Sequence, residues 1–147
     1  MATAIAQPSI NTFIYLGAAE SPTTYTLIPN VGAIKGINMK AKTVDVTSHS
    51  TGVPWTQSIA TLLSIGDCSF PIFYIPSDPT HQALLAAFTS RSQRSFAESF
   101  PDTNNTTNYF EAYVTSFTEN APVDGVLTAD IVLSGTGLPQ LNATGRP

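Results

Sequence analysis

The feature that most constrains this chain is its punctuation, with nine glycines and eleven prolines scattered through 147 residues. Both residues end or bend regular elements, so the short apolar runs between them read as strands joined by turns. Residues 12–16 and 25–28 are two such strands, and 33–47 is one long strand or a bent pair with Ile37, Met39 and Ala41 on one face. The run CSFPIFYI, 68–75, is the clearest buried strand, with Phe70, Ile72 and Tyr74 on one side and Phe73 and Ile75 on the other. One helix follows: Ser77 or Asp78 can cap it, Pro79 suits its first turn, and Leu84, Leu85 and Phe88 make an apolar stripe. Further strands are read at 96–100, at 109–118 with Phe110, Ala112 and Val114 together, and at 126–134 with Leu127, Ala129, Ile131 and Leu133 inward. Asp124-Gly125 makes a hairpin-like turn before the last of these.

Between them lies a segment with no clear period. From about 47 to 65 the chain has turn residues first and then a brief apolar patch, which reads as a long loop, and long loops are often functional. The fold class expected is mostly β, a sandwich or partly open barrel with one flanking helix, in a single domain over 1–147. The ends, 1–10 and 138–147, read as irregular, mobile arms.

Charge narrows the function classes. Charged residues are 11% of the chain, against a usual figure of about 25%, and the net charge is −4. A weakly charged surface suits a protein covered by neighbours in an assembly. Nucleic-acid binding needs clustered Lys and Arg, but there are six basic residues and only Lys35, Lys40 and Lys42 lie near one another. On a strand Lys40 and Lys42 share a face, and they read as solvated edge lysines. The single cysteine, Cys68, rules out an internal disulfide and reads as a small core residue. The first residues, MATAIAQPSI, lack the basic and apolar regions of a signal peptide, and no apolar run reaches the roughly 18 residues of a membrane span. A protein made in the cytoplasm, with no membrane partner, is expected.

No catalytic arrangement emerges. Asp45 and His49 stand four apart beside Ser48 and Ser50, but no G-x-S-x-G elbow presents a serine, so a polar loop with an exposed His is the better reading. His81 falls in the first turn of the helix and reads as partly buried or solvent-facing. Asp45 and His49 supply two metal ligands where zinc needs three or four, and Gly32 and Gly36 are not followed by a phosphate-loop lysine. No cofactor or metal is expected. The alternative to a structural role is a monomeric carbohydrate-binding module or small hydrolase using Trp55, Asp45 and His49, with Tyr74 or Asp67 beside them.

The order of short motifs sharpens this. VDVTSHS at 44–50, Trp55, an apolar stretch through Ile65, Gly66-Asp67, SFPIFYIPSD and HQALLAAF occur in sequence. Phe100-Pro101-Asp102, an alternating strand with Phe110, Ala112, Val114 and Thr115, and a final Gly135 to Pro139 follow. In this order, over about 9–139, the chain resembles the tail tube proteins of long-tailed, non-contractile phages, the lambda-like group. It departs from many relatives in TQSIATLLSIGD, which lacks their acidic residues after the Trp. The resemblance implies a β-sandwich subunit, non-enzymatic, that polymerises as stacked hexameric rings into the virion's tail tube. It implies self-association, tail tip (initiator), tape-measure and terminator proteins as partners, and DNA passing through the lumen without specific binding. The loop would reach the next ring, with Val44, Asp45, Val46, Thr47, Ser48, His49, Trp55 and Ile59 as inter-ring or inter-subunit contacts.

Overall fold

The computed structural model describes residues 6–18, 24–48, 52 and 54–147. Eight strands and one helix follow in the order β1 Phe13–Gly17, β2 Tyr25–Leu27, β3 Met39–Asp45, β4 Ser58–Ile65, β5 Asp67–Phe73, α1 Pro79–Ser90, β6 Gln93–Ser99, β7 Thr107–Asn120 and β8 Thr128–Ala143. Six of them form one antiparallel sheet in the order β2-β1-β6-β7-β8-β5, while β3 and β4 pair only with each other. The edges β2 and β5 do not meet, so the sheet does not close into a barrel. The class is as expected: mostly β, one helix, antiparallel sheets.

Alternation decides which face of the sheet is dry. Cys68, Phe70 and Ile72 of β5 are buried, as are Phe110, Ala112 and Val114 of β7 and Ala129, Ile131 and Leu133 of β8. β6, in the middle, is buried without a break from Ser95 to Ser99. Helix α1 and the half-buried Val31, Ile34 and Ile37 pack on this core. The segment before β3 runs antiparallel along β5: Gly32 N–H donates to the Pro71 carbonyl at 2.8 Å and Lys35 N–H to that of Ser69 at 2.8 Å. The long strand expected at 33–47 is therefore an irregular edge piece followed by β3.

Asp78 caps α1, its Oδ1 accepting from the N–H groups of Thr80 at 2.9 Å and His81 at 3.3 Å, and Pro79 fills the first helical position. The buried stripe is His81, Leu84 and Ala87, whereas Phe88 is exposed, so the helix is rotated from the expected Leu84, Leu85 and Phe88 face. The reason is His81, which is fully buried rather than solvent-facing. Its Nδ1 accepts from the Ile75 N–H at 3.1 Å, which leaves Nε2 to donate to the Pro29 carbonyl at 3.1 Å. A paired imidazole costs little to bury and ties the helix to two loops.

Two expectations hold only in part. The second part of the loop expected at 47–65 is a strand, since β4 begins at Ser58 and pairs with β3 from Asp45↔Ser58 to Met39↔Ile65. The tail expected to be irregular from 138 instead extends β8 to Ala143, paired at Tyr109↔Gln140 and Thr107↔Ala143. Phe73 and Ile75, expected inside on the second face of β5, are half exposed.

Candidate subunit interface

Sequence places β3 and β4 next to each other through a connection of residues 46–57, and the two strands form a projecting hairpin. The ladder is closed at its outer end by a small polar cluster. Val46 N–H donates to the Gln57 carbonyl at 2.8 Å, and Gln57 N–H donates to Thr47 Oγ1 at 2.8 Å. Asp45 Oδ1 accepts from Thr47 N–H at 2.8 Å and from the Thr47 hydroxyl. These two bonds from Thr47 favour the carboxylate and hold the Asp45 pKa below its ordinary value.

The arrangement has an unusual burial. Every residue of β3 is exposed, and so is every residue of β4 except Ile65. Exposed on both faces are Met39, Val44, Val46, Ile59, Leu62 and Leu63, the last at 81%. Beyond Ile65 at its root, no described residue of the hairpin is buried, and such a two-stranded pair is marginal in water. Its hydrogen bonds are made, but the apolar burial that would hold them is missing from this chain alone.

A bulge organises the two faces. From Ala41↔Leu63 to Thr43↔Ala60, β3 advances two residues while β4 advances three. Near the root, Met39, Ala41, Leu63 and Ile65 share one face, while toward the tip Val44 and Ile59 sit on the other with Lys40 and Lys42. At the root, Gly66 N–H donates to the Asn38 carbonyl and Gly135 N–H to that of Gly66, which ties the hairpin to β8.

The sequence-predicted contact residues mostly converge here. Val44 and Ile59 are directly opposed, Asp45 pairs with Ser58, and Val46, Thr47 and Ser48 continue toward the tip, all exposed. Trp55 lies in the connection, 75% exposed. His49 lies outside the described residues. Sequence reasoning missed Met39, Leu62, Leu63, Leu138 and Leu141, all exposed apolar side chains. The adjacent leucines at 62 and 63 were the available signal, but the bulge had removed the alternation that marks a strand.

Of the alternative reading's residues, Asp45 and Trp55 both belong to the hairpin's outer part and His49 lies outside the described residues, but Tyr74 is not with them. Trp55 is on the hairpin's far connection, whereas Tyr74 packs edge-on against Phe117 and stacks with His81 beside α1. Among the described residues no three His, Cys, Asp or Glu side chains converge as a metal site. Cys68 is buried, and desolvation first, then the nearby Glu98 charge, pushes its thiol up to about 12, so no thiolate is offered.

The sequence profile of the lambda phage tail tube protein family matches residues 13–142. No curated protein matches the chain. Among solved structures, the tail of an empty gene transfer agent particle with C6 symmetry superposes with TM-score 0.78 at 20% identity, covering 94% of this chain and 100% of that one. The virion of the native gene transfer agent gives 0.76 at 19%, covering 94% and 100%. The SPP1 tail tube gives 0.64 at 13%, covering 91% and 80%. These likenesses show a shared fold.

Proposed function

This chain belongs to the lambda phage tail tube protein family, and from that premise we propose how its parts divide the work of a tube. It is a structural subunit of the virion tail that polymerises into the tail tube, and it is not an enzyme. In our reading the polymer is a stack of six-membered rings, and the β3–β4 hairpin joins copies of the chain. Val44, Asp45, Val46, Thr47, Ser48, His49, Trp55 and Ile59 form its contact surface. The observation that carries this is the hairpin's full ladder without burial on either face. Neighbouring copies supply the missing apolar contact, and both hairpin edges are open to strand addition.

The same reading makes the tube a conduit for DNA ejection. Six copies of a chain that carries −4 give a ring that repels phosphate, although salt screens the effect beyond roughly 10 Å. A tail tip initiator, a tape-measure protein and a terminator are the further partners. A sheathless tail is the simplest assignment, resting on the family match alone.

Deleting residues 48–57, so that β3 and β4 meet in a short turn, tests the hairpin's role. The expected outcome is an unchanged circular dichroism spectrum and melting temperature, with polymers lost in sedimentation and negative-stain microscopy. Normal tubes from that deletion would remove the role assigned to the hairpin.

A further inference from the structure

At the root of the hairpin two bulges face one another. One is the β4 irregularity already described, which presents Leu62 and Leu63. The second is in β8: between Tyr109↔Gln140 and Glu111↔Thr136, β7 advances two residues and β8 four. Gly137 takes φ 74°, a conformation that glycine tolerates, and Leu138 is thrown outward to 95% exposure. Between the bulges lies a groove of about 560 Å³, lined by Met39, Ala41, Leu63, Ile65, Leu138 and Leu141. Exposed apolar clefts of this kind mark interaction sites.

The chain also carries a side chain suited to such a groove. Trp55 is the single tryptophan, and its 75% exposure exceeds the 50% of Phe73, the next most exposed aromatic among the described residues. Tryptophan is the residue most favoured as a buried anchor at interfaces. From Ala41, the outermost groove residue of β3, to Asp45 is about 13 Å at strand rise, and Trp55 lies in the connection after the strand end, so this exposed side chain does not occupy its own groove. A knob and a hole at opposite ends of one arm give a head-to-tail contact, which propagates instead of closing as a two-fold dimer.

We infer that the groove between the β4 and β8 bulges receives Trp55 from a second copy of this chain. This rests on the hairpin being the contact element and names its anchor and its socket. Docking covers Leu63 and Leu138 and dries the indole at once. Lys40, beside the groove, leaves one charged rim position for solvent.

The test uses single-cysteine changes in the full chain, since native Cys68 is buried and its thiol is held protonated. Thr56→Cys and Pro139→Cys proteins, which keep the Trp55 anchor and the Leu138 wall, are mixed under assembly conditions and oxidised. A disulfide-linked dimer is expected in the mixture and in neither protein alone. In parallel, Trp55 emission should shift to the blue on polymerisation and acrylamide quenching should fall several-fold, and both changes should be lost with Leu138→Asp. No cross-link in the mixture, Thr56→Cys linking to itself, or a fully quenchable Trp55 in sedimented tubes overturns the inference. If the 48–57 deletion still blocks tubes while the cross-link is absent, only the socket is wrong. If that deletion leaves tubes intact, the hairpin reading beneath it falls.

Discussion

The β3–β4 hairpin and the β6–β7–β8 sheet are built from the same antiparallel pairing, yet they are held in different ways. Strand β6 has two paired neighbours and five successive buried residues, and its Phe96 stacks on Phe110 with ring centroids 5.9 Å apart. Strand β3 has one neighbour and no buried residue. A backbone hydrogen bond exchanges a water partner for a protein one and contributes little net, so burial is what separates a stable strand from a provisional one. The body of the protein buries its own strands, whereas the hairpin leaves nearly all of its side chains exposed.

The largest effect that could break this contrast is in the body. Phe96→Ala should cost about 3–5 kcal/mol, a cavity in the centre of the sheet, read as a lower denaturation midpoint. A loss as small as that of a surface change would mean that the sheet is not what holds the monomer.

A second test uses pH, because the two regions carry carboxyls shifted in opposite directions. Glu98 is buried at 5% exposure, and desolvation raises its pKa above the ordinary value. It therefore binds its proton more readily folded than unfolded, so its contribution is fully present below the unfolded pKa and is lost as pH rises through the folded one. Glu98→Gln should be more stable than the native chain at pH 7, with the difference closing near pH 4. Asp45 is shifted down by Thr47, so the hairpin's outer cluster is favoured above the ordinary carboxylate pKa and loosens as pH falls below it. Faster exchange of the Thr47 amide on acidification would show this, and equal responses in both regions would erase the distinction.

The smallest expected effect is the most telling. Ile59→Ala removes an apolar side chain that is 52% exposed, so monomer stability should change by at most about 0.5 kcal/mol. Its effect on the critical concentration for polymerisation should be much larger. A destabilised monomer would mean that Ile59 is packed within its own chain.

What could be read from sequence follows the same division. β5, β7 and the first half of β8 were legible because burial on one face leaves a period-two pattern, as at Cys68, Phe70 and Ile72. Asp78 and Pro79 marked the start of α1 by local chemistry alone. β4 was not legible: with no buried face there is no alternation to read, and the bulge sets Leu62 beside Leu63. The far end of β8 was hidden by Gly137 and Pro139, which look like breakers and are accommodated as a bulge. His81 was misplaced because its partner, the Pro29 carbonyl, lies 52 positions away. For the candidate interface, the residues from Val44 to Ser48 were named by motif order, while the groove around Leu138 needed two distant strands in register.

One glycine at the root sets the pitch of the whole arm. At Gly135 an added methyl would come within 2.4 Å of Ile65 Cγ2, so the hairpin and β8 touch there backbone to side chain. The hairpin is a cantilever clamped at that point, and any shift of its foot is magnified along an arm of about 20 Å or more. Substituting Gly135 would leave every residue of the hairpin intact and aim them all elsewhere. The aim of the hairpin is in this sense a lever setting, fixed where Gly135 meets Ile65.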